Sequence, residues 1–543
     1  MNLFRINPRI AYLLLPFVGG ALYSFGFPMK SLPHFMGASF LGLFLLFQAL
    51  PLPYGSEQQE RGLSFKPALI SVLCFSLGYC LFGYYWIPYT LKEFGHIYFP
   101  FNTIIGSLFS LIIVPQFILF ALFLNIWSRL SWKKSSLASG VTTRNVVFSI
   151  LLVVFETYTP QQFPAHIGHT WLQLNPYLGS APIFGVPAFS FFSYWLVLSL
   201  VSWWKVQKVD KFGVFAFVAF LAMNLLFPLA YNKENSQMVS HLRMVQANVG
   251  NFMKIQSEQG NADSVNEIYE RYKNLSLKKQ KNQKKIDLIL WPETAYPRLL
   301  NTALMRVSLA FIPTIARDVV TQLDAPLFFG GYDKSENNNT SFYETEYNAA
   351  FFISPKSTLS EVYHKRLLIP FGESLPFGFL NPYFARVIKN ISFFAKGQRF
   401  PTFQLENRQR FISVICYEVL FSGFIRKYLN EVKEHPNFLV NLTNDSWYGE
   451  TSEPYQHQFL SHWRSLEFQI PMVRMTNTGI TSILYPDGSE SERLGIFEKG
   501  ILDVELKLNQ VSPTPLQKWG FLTTLLLMLI MFIFSWLIER FKN

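Results

Sequence analysis

Three side chains of complementary chemistry stand at the ends of short apolar runs in the second half of this 543-residue chain. Glu293 follows "IDLILWP", Lys365 closes "SEVYHK" and Cys416 closes "RFISVIC". A carboxylate can take a thiol proton, the thiolate can attack a carbonyl, and an ammonium can steady the oxyanion that develops. That is the chemistry of acyl transfer. Each residue alone has a plainer reading: a buried thiol filling a core, a carboxylate opening a helix, a solvated lysine. The set carries the argument. A helix is expected to begin just after Cys416, where its N-terminus would face the sulfur and lower the thiol pKa.

The elements that must position these residues read as a layered α/β domain over 232–518. Short apolar runs ("HLRMVQANV", "IDLILW", "APLFFGGY", "YNAAFFI", "RFISVIC", "PNFLVNLT", "IPMVRMTN", "TSILYP") alternate with polar, helix-like stretches. Strand ends in such a domain open onto one rim, where residues distant in sequence converge. The lysine-rich run 273–285 is a solvated helix face.

The rest of the chain is oily. Hydrophobic residues make up 50% and charged residues only 15%, which points to membrane spans rather than a wholly soluble protein. Apolar runs of spanning length lie at about 10–28, 33–52, 67–90, 103–127, 145–158, 184–204 and 212–231, with an eighth at 519–538. This gives a seven-helix membrane domain over 1–231, the α/β domain over 232–518, and a final helix and tail over 519–543. Basic residues gather in alternate connections, at Arg5 and Arg9, Arg61 and Lys66, Arg129 to Arg144, Lys205 to Lys211, and Arg540 and Lys542. The intervening loops carry only Lys30 and Lys92. By the positive-inside rule both termini are cytoplasmic and 232–518 lies outside the cytoplasm. The net charge of +12 is absorbed by these loops, so nucleic acid is not an expected partner. The spans carry almost no ionisable groups apart from Glu156, which argues against ion transport. Three cysteines, two of them (Cys74 and Cys80) in the oily half, make no disulfide framework.

Four stretches, "WPETAYP", "YHKRLLIPFGESLPF", "ICYEVLF" and "NLTNDSWYG", resemble the nitrilase superfamily, whose catalytic set is Glu–Lys–Cys. With the membrane-spanning flanks, "YQHQFLSHWRSLE" and "VRMTNTGITSILYPDG", the resemblance narrows to the apolipoprotein N-acyltransferase family. It implies an α-β-β-α sandwich as the second domain, in a monomeric, multi-pass protein of the bacterial inner membrane with its catalytic domain in the periplasm. It also implies a two-step reaction without metal or organic cofactor. Cys416 would take an acyl chain from a phospholipid as a thioester, then pass it to the α-amino group of a diacylglyceryl-apolipoprotein. Glu293 matches the general base, Lys365 the oxyanion-stabilising lysine and Glu373 a supporting glutamate, with Tyr417 and Glu418 following the nucleophile. Where the family tends to carry a Lys-Trp pair, Lys254 is here followed by Ile255, and no arginine follows Glu156 closely.

The thioester must be kept from water. Phe384, Val387, Ile388, Ile391 and Phe394 recur at helical spacing and read as a lipid-facing cover, or as a stripe packed on the domain core. His166 and His169, three apart, have the spacing of metal ligands but lack a Cys/His/Asp cluster around them, so loop packing is the expected role. The rival function is a membrane-anchored amidase or nitrilase that uses the same three residues and lets water resolve the thioester.

Overall fold

The computed structural model describes residues 8–54, 65–93, 95–129, 140–227, 229, 238–279, 284–335, 344–385 and 392–541. The chain divides into two compact units. One takes Met1–Leu229, Thr451–Trp463 and Lys518–Asn543, and the other Ala230–Glu450 and Arg464–Gln517.

The first unit is helical, and each of the eight apolar runs forms helix. Four helices are long and apolar enough to cross a membrane: Phe65–Gly83, Val141–Tyr158, Val186–Val206 and Leu522–Arg540. Phe101–Leu111 and Pro115–Trp127, bent by 47° at their junction, make a fifth if taken as one span. Tyr12–Ser24, Met36–Ala49 and Lys211–Leu226 are apolar but shorter. By length and composition, then, four or five spans are found among the described residues, and the count of eight is not confirmed. Small residues let these helices approach closely, as apolar packing without a hydrophobic driving force requires. A Cβ added to Gly20 would collide with the Phe75 carbonyl, and one on Gly78 with that of Phe17. The buried Glu156 accepts hydrogen bonds from Ser190 Oγ and Tyr194 OH, both at 2.5 Å, with His166 Nδ1 at 3.4 Å. His169 Nδ1 accepts from the His166 backbone at 3.0 Å, and His166 Nε2 meets Gln161 Oε1 at 3.1 Å. Both rings thus serve the packing of their own loop. Thr451–Trp463 joins this unit through Trp463, whose indole donates to the His169 carbonyl at 3.0 Å and packs on Phe189.

The second unit is built on two sheets. The first holds β1 (Met238–Gln246), β2 (Leu288–Leu290), β3 (Tyr296–Leu300), β4 (Leu327–Lys334), β5 (Glu346–Ile353) and β6 (Leu359–His364). The second holds β7 (Phe403–Gln404), β8 (Arg410–Ile415), β9 (Phe438–Thr443), β10 (Met472–Thr476) and β11 (Ser482–Leu484). The chain then returns to the first sheet with β12 (Gly500–Leu508). The order is β12-β1-β2-β4-β5-β6, with β3 also on β4, and β11-β10-β9-β8-β7. Both sheets have parallel centres: β2 runs parallel to β1 and β4, and β9 to β8 and β10.

Side-chain alternation along the strands separates two apolar layers. Phe328 and Phe352 face the second sheet, meeting Phe403 and Phe411 at ring-centroid distances of 4.8 to 5.9 Å. Their neighbours Phe329 and Phe351 face the other way, into a core with Trp291, Val319, Val320 and Tyr272 from the covering helices Ala262–Ser276 and Thr314–Leu323. On the far side of the second sheet, Ile425 and Leu429 of helix Ser422–Glu431 lie against Leu439 and Met472. Helix, sheet, sheet, helix is the resulting order of layers. A Phe328→Ala substitution, which empties the space between the sheets, should destabilise the protein by about 3–5 kcal/mol, read as a lowered denaturation midpoint of the full-length chain.

Candidate active site

Each of the three residues of acyl-transfer chemistry leaves the end of a strand. Glu293 lies three residues past β2, Lys365 directly follows β6, and Cys416 directly follows β8. Two belong to the first sheet and one to the second, so the site lies where the ends of both sheets meet. There the chain brings a base, an ammonium and a thiol into one buried place.

Lys365 is fully buried, and its ammonium has two carboxylate partners. Nζ lies 2.8 Å from Glu373 Oε1 and 3.4 Å from Glu293 Oε1. Asn348, on β5, spans the same pair: its Nδ2 donates to Glu293 Oε1 at 2.8 Å and to Glu373 Oε1 at 3.1 Å. The other oxygen of Glu293 accepts from the Asn444 backbone N–H at 2.9 Å, and that of Glu373 from Ile369 N–H at 3.0 Å. Burial pulls the Lys365 pKa down, but the Glu373 and Glu293 carboxylates, in that order, outweigh it and leave it above the usual lysine value. The ammonium is therefore permanent.

Cys416 adopts φ +50°, a left-handed backbone that non-glycine residues seldom take and that recurs at functional turns. Its carbonyl accepts from Asn441 Nδ2 at 3.3 Å. The turn Cys416–Leu420 is a short 3-10 helix, not the start of an α-helix, and the expected depression of the thiol pKa is not found. Burial pushes the thiol well above its usual value, Glu293 adds to the rise, and Lys365 opposes it. The resting group is a thiol, and a base is needed to ionise it.

Glu418 is the tie between the turns that carry Cys416 and Lys365. Fully buried, it accepts from the Arg366 and Leu367 N–H groups at 2.7 and 2.9 Å, from Ile415 N–H at 2.8 Å, and from Tyr363 OH at 2.7 Å. One carboxylate thus fastens the turn after β6 to the turn after β8. Burial raises its pKa, although the bonds from Ile415 and Leu367 work against the rise. Tyr417, buried beside Cys416, packs edge-on against Phe421 with centroids 4.8 Å apart.

Several positioning residues were not singled out by residue type. Asn348 sits inside an apolar strand, where the alternation gave no reason to single it out. Arg474 and Asp445 form a wholly buried pair at 3.0 Å, and Arg474 also donates to Asn441 Oδ1 at 2.9 Å, which brings the pair beneath the Cys416 carbonyl. Asn477 donates to Asn444 Oδ1 at 3.0 Å and so steadies the backbone that holds Glu293. Both belong to "NLTNDSWYG" and "VRMTNTGIT", so the signal lay in motifs whose individual residues have no reactive chemistry.

Of the expected cover, only Phe384 and Phe394 lie among the described residues. Phe384 lies on the helix Asn381–Ala385, and Val387, Ile388 and Ile391 fall outside the described residues. Phe394 follows in irregular chain, buried and stacked on Tyr332 at 5.8 Å, while its N–H donates to the Glu373 carbonyl at 3.0 Å. Phe394 therefore packs on the domain rather than facing lipid. Upstream of these, Phe371, Phe379 and Tyr383 are exposed, Phe379 at 92%.

Two family models and several known proteins match the chain. A family model described as carbon-nitrogen hydrolase matches residues 242–516, and one described as apolipoprotein N-acyltransferase N-terminal domain matches 19–199. The chain is similar to the apolipoprotein N-acyltransferase of Bdellovibrio bacteriovorus, 28% identical over 469 residues that cover 83% of this chain and 82% of that one. It is also similar to that of Rickettsia bellii, 24% identical over 526 residues, covering 93% and 96%. Among solved structures, an amidase of the nitrilase superfamily from Nesterenkonia AN1 aligns with 50% of this chain and 91% of its own, at 17% identity and a TM-score of 0.33.

Glu418→Ala would strand four donors, two of them (Tyr363 OH and Ile415 N–H) in buried bonds and two part-buried. It should lower stability by about 2–4 kcal/mol, since each unsatisfied buried group costs about 1–3 kcal/mol and relaxation recovers part, measured as a fall in denaturation midpoint. Glu418→Gln, which keeps an acceptor oxygen, should lose less.

Proposed function

Because this chain belongs to the carbon-nitrogen hydrolase family and carries an apolipoprotein N-acyltransferase N-terminal domain, we propose that it N-acylates lipoproteins through a thioester on Cys416. The observation that carries the reading is the buried Lys365 ammonium, held between Glu293 and Glu373 and close enough to Cys416 to act on its charge.

In the first step Glu293 takes the thiol proton, and the Cys416 thiolate attacks an ester carbonyl of a phospholipid. The developing oxyanion draws on the Lys365 ammonium. Collapse breaks the acyl–oxygen bond, and the proton held on Glu293 passes to the departing lysophospholipid oxygen. The enzyme is left as a thioester. In the second step the α-amino group of a diacylglyceryl-cysteine attacks that carbonyl, Glu293 accepts a proton from the amine, and the thiolate leaves and is reprotonated. The raised thiol pKa fits this order: the sulfur stays protonated, and unreactive, until a carbonyl and a base are both in place. Glu373 and Asn348 position the lysine and the base, and Glu418 positions both turns.

Each partner in this scheme is a lipid or a lipid-modified chain end, and the apolar helices supply the membrane that both share. On this reading the protein sits in the inner membrane with both termini cytoplasmic and the catalytic unit periplasmic, as the alternation of basic loops requires.

The test is a transfer assay with purified full-length protein, phosphatidylethanolamine vesicles and a synthetic diacylated lipopeptide. The reading predicts N-acylated lipopeptide as the main product, with Glu293→Gln and Lys365→Met each slowed by about 100-fold or more. Release of free fatty acid at the same rate with or without lipopeptide would show water to be the acceptor and make the protein a hydrolase.

A further inference from the structure

A second lysine is buried at the site and has no part in the scheme above. Lys254, on helix Asn251–Glu258, is only 5% exposed. The start of that helix is pinned: Asn251 Nδ2 donates to the Ser446 carbonyl at 2.9 Å, and Asn477 brackets Val249, accepting from its N–H at 2.9 Å and donating to its carbonyl at 2.8 Å. The lysine is therefore delivered to a fixed place. Its ammonium donates to the Thr294 hydroxyl and lies 6.0 Å from the centre of the Trp447 ring.

Thr294 is the residue after Glu293, and it holds φ +49°, an uncommon conformation for a β-branched side chain. Such a backbone persists only when its surroundings hold it. The charged groups facing Lys254 are Glu258 on its own helix, Glu293 from the turn after β2, Cys416 from the turn after β8 and Glu373 from the loop after β6. Tyr332, on β4, closes the circle: its hydroxyl donates to Glu258 Oε1 at 2.5 Å, and its oxygen meets the Thr294 hydroxyl. Two carboxylates, Glu293 and Glu373, thus share the site with Lys365, while Glu258 is exposed at its edge, and a single ammonium does not balance the two.

We propose that Lys254 is a positioning residue for the acylation step, its ammonium anchoring the Glu293–Thr294 turn and supplying the second positive charge that the carboxylates require. This rests on the assignment of Cys416 as nucleophile. The positive charge is needed, not only the side chain's bulk, so the step depends on Lys254 remaining protonated. Burial pushes its pKa below the usual lysine value, against the pull of Glu258, Glu293, Cys416 and Glu373. Lys365, Cys416, Tyr332 and Tyr417 all move the other way. The sign follows: Lys254 is charged below its pKa and neutral above it, so acylation declines as pH rises through a value below the ordinary lysine value of about 10.4.

The experiment measures the rate of acyl-adduct formation by intact mass, on full-length protein with phosphatidylethanolamine vesicles, from about pH 7 upward. Wild type, Lys254→Met and Cys416→Ser are compared. Expected is a wild-type rate that falls on the alkaline side, and a Lys254→Met rate about tenfold or more lower at neutral pH and flat over the same range, as loss of a charge-assisted hydrogen bond implies. A Lys254→Met rate within about twofold of wild type overturns the proposal. So does a slowed variant that keeps the wild-type alkaline fall, because a merely structural role would slow all pH values alike. If Lys254→Met does not fold, the wild-type profile decides, and no fall below the ordinary lysine range overturns the proposal. Absence of any wild-type adduct would remove the Cys416 reading together with this one, whereas a wild-type adduct with an indifferent Lys254→Met removes this one alone.

Discussion

The second unit is organised around one buried cation. An ammonium with no exposed surface is tolerated only if paired charges and hydrogen bonds replace the water it has lost, a loss worth several kcal/mol per ion. Lys365 meets that constraint with Glu373 and Glu293, and the constraint spreads outward from there. The two carboxylates need their remaining oxygens satisfied, so Asn348 spans them and the Asn444 and Ile369 backbones close them off. Asn444 must in turn be held, and Asn477 holds it. The geometry of catalysis is thus the same network that makes the burial of a charge affordable.

The same burial acts oppositely on the sulfur. It denies Cys416 a resting thiolate, since the thiol is pushed up and Glu293 adds to the rise. A nucleophile of this kind is activated by proton transfer at the moment of attack, not by standing ionisation. That suits the proposed transfer of an acyl chain from a membrane lipid, because a permanent thiolate would be open to oxidation and adventitious acyl exchange. Glu418 makes the arrangement stiff, since one carboxylate carries the backbone on both sides of the site.

Much of this was legible in the sequence, for reasons that can be named. Short apolar runs mark β1, β2, β4, β5, β8, β9, β10 and β11, and Glu293, Lys365 and Cys416 draw notice because reactive side chains stand where β2, β6 and β8 stop. β3 escaped because "YPRLL" carries a proline and exposes two of its five residues. Asn348, Arg474 and Asn477 escaped because their importance lies in partners far along the chain, which no local pattern reports. The turn after Cys416 is 3-10 where an α-helix start is expected, and residue type reports neither that turn nor the positive φ of Cys416. At the end of the stripe that runs from Phe384 at helical spacing, Phe394 is buried and its backbone serves Glu373, which spacing alone does not report. The count of eight spans is likewise not settled by the apolar runs alone. Three of the eight apolar runs fold into helices too short to qualify by length and composition.

The central claim is that Cys416 carries the acyl group, and the direct measurement is the mass of the peptide containing it. Full-length protein would be quenched in acid after incubation with phospholipid vesicles of defined acyl composition, then digested and mapped. The account predicts one acyl chain on the Cys416 peptide, released by hydroxylamine and by a diacylated lipopeptide, with Cys74 and Cys80 unmodified. An unmodified Cys416 peptide during active turnover, or an acyl chain on any other residue, would contradict it.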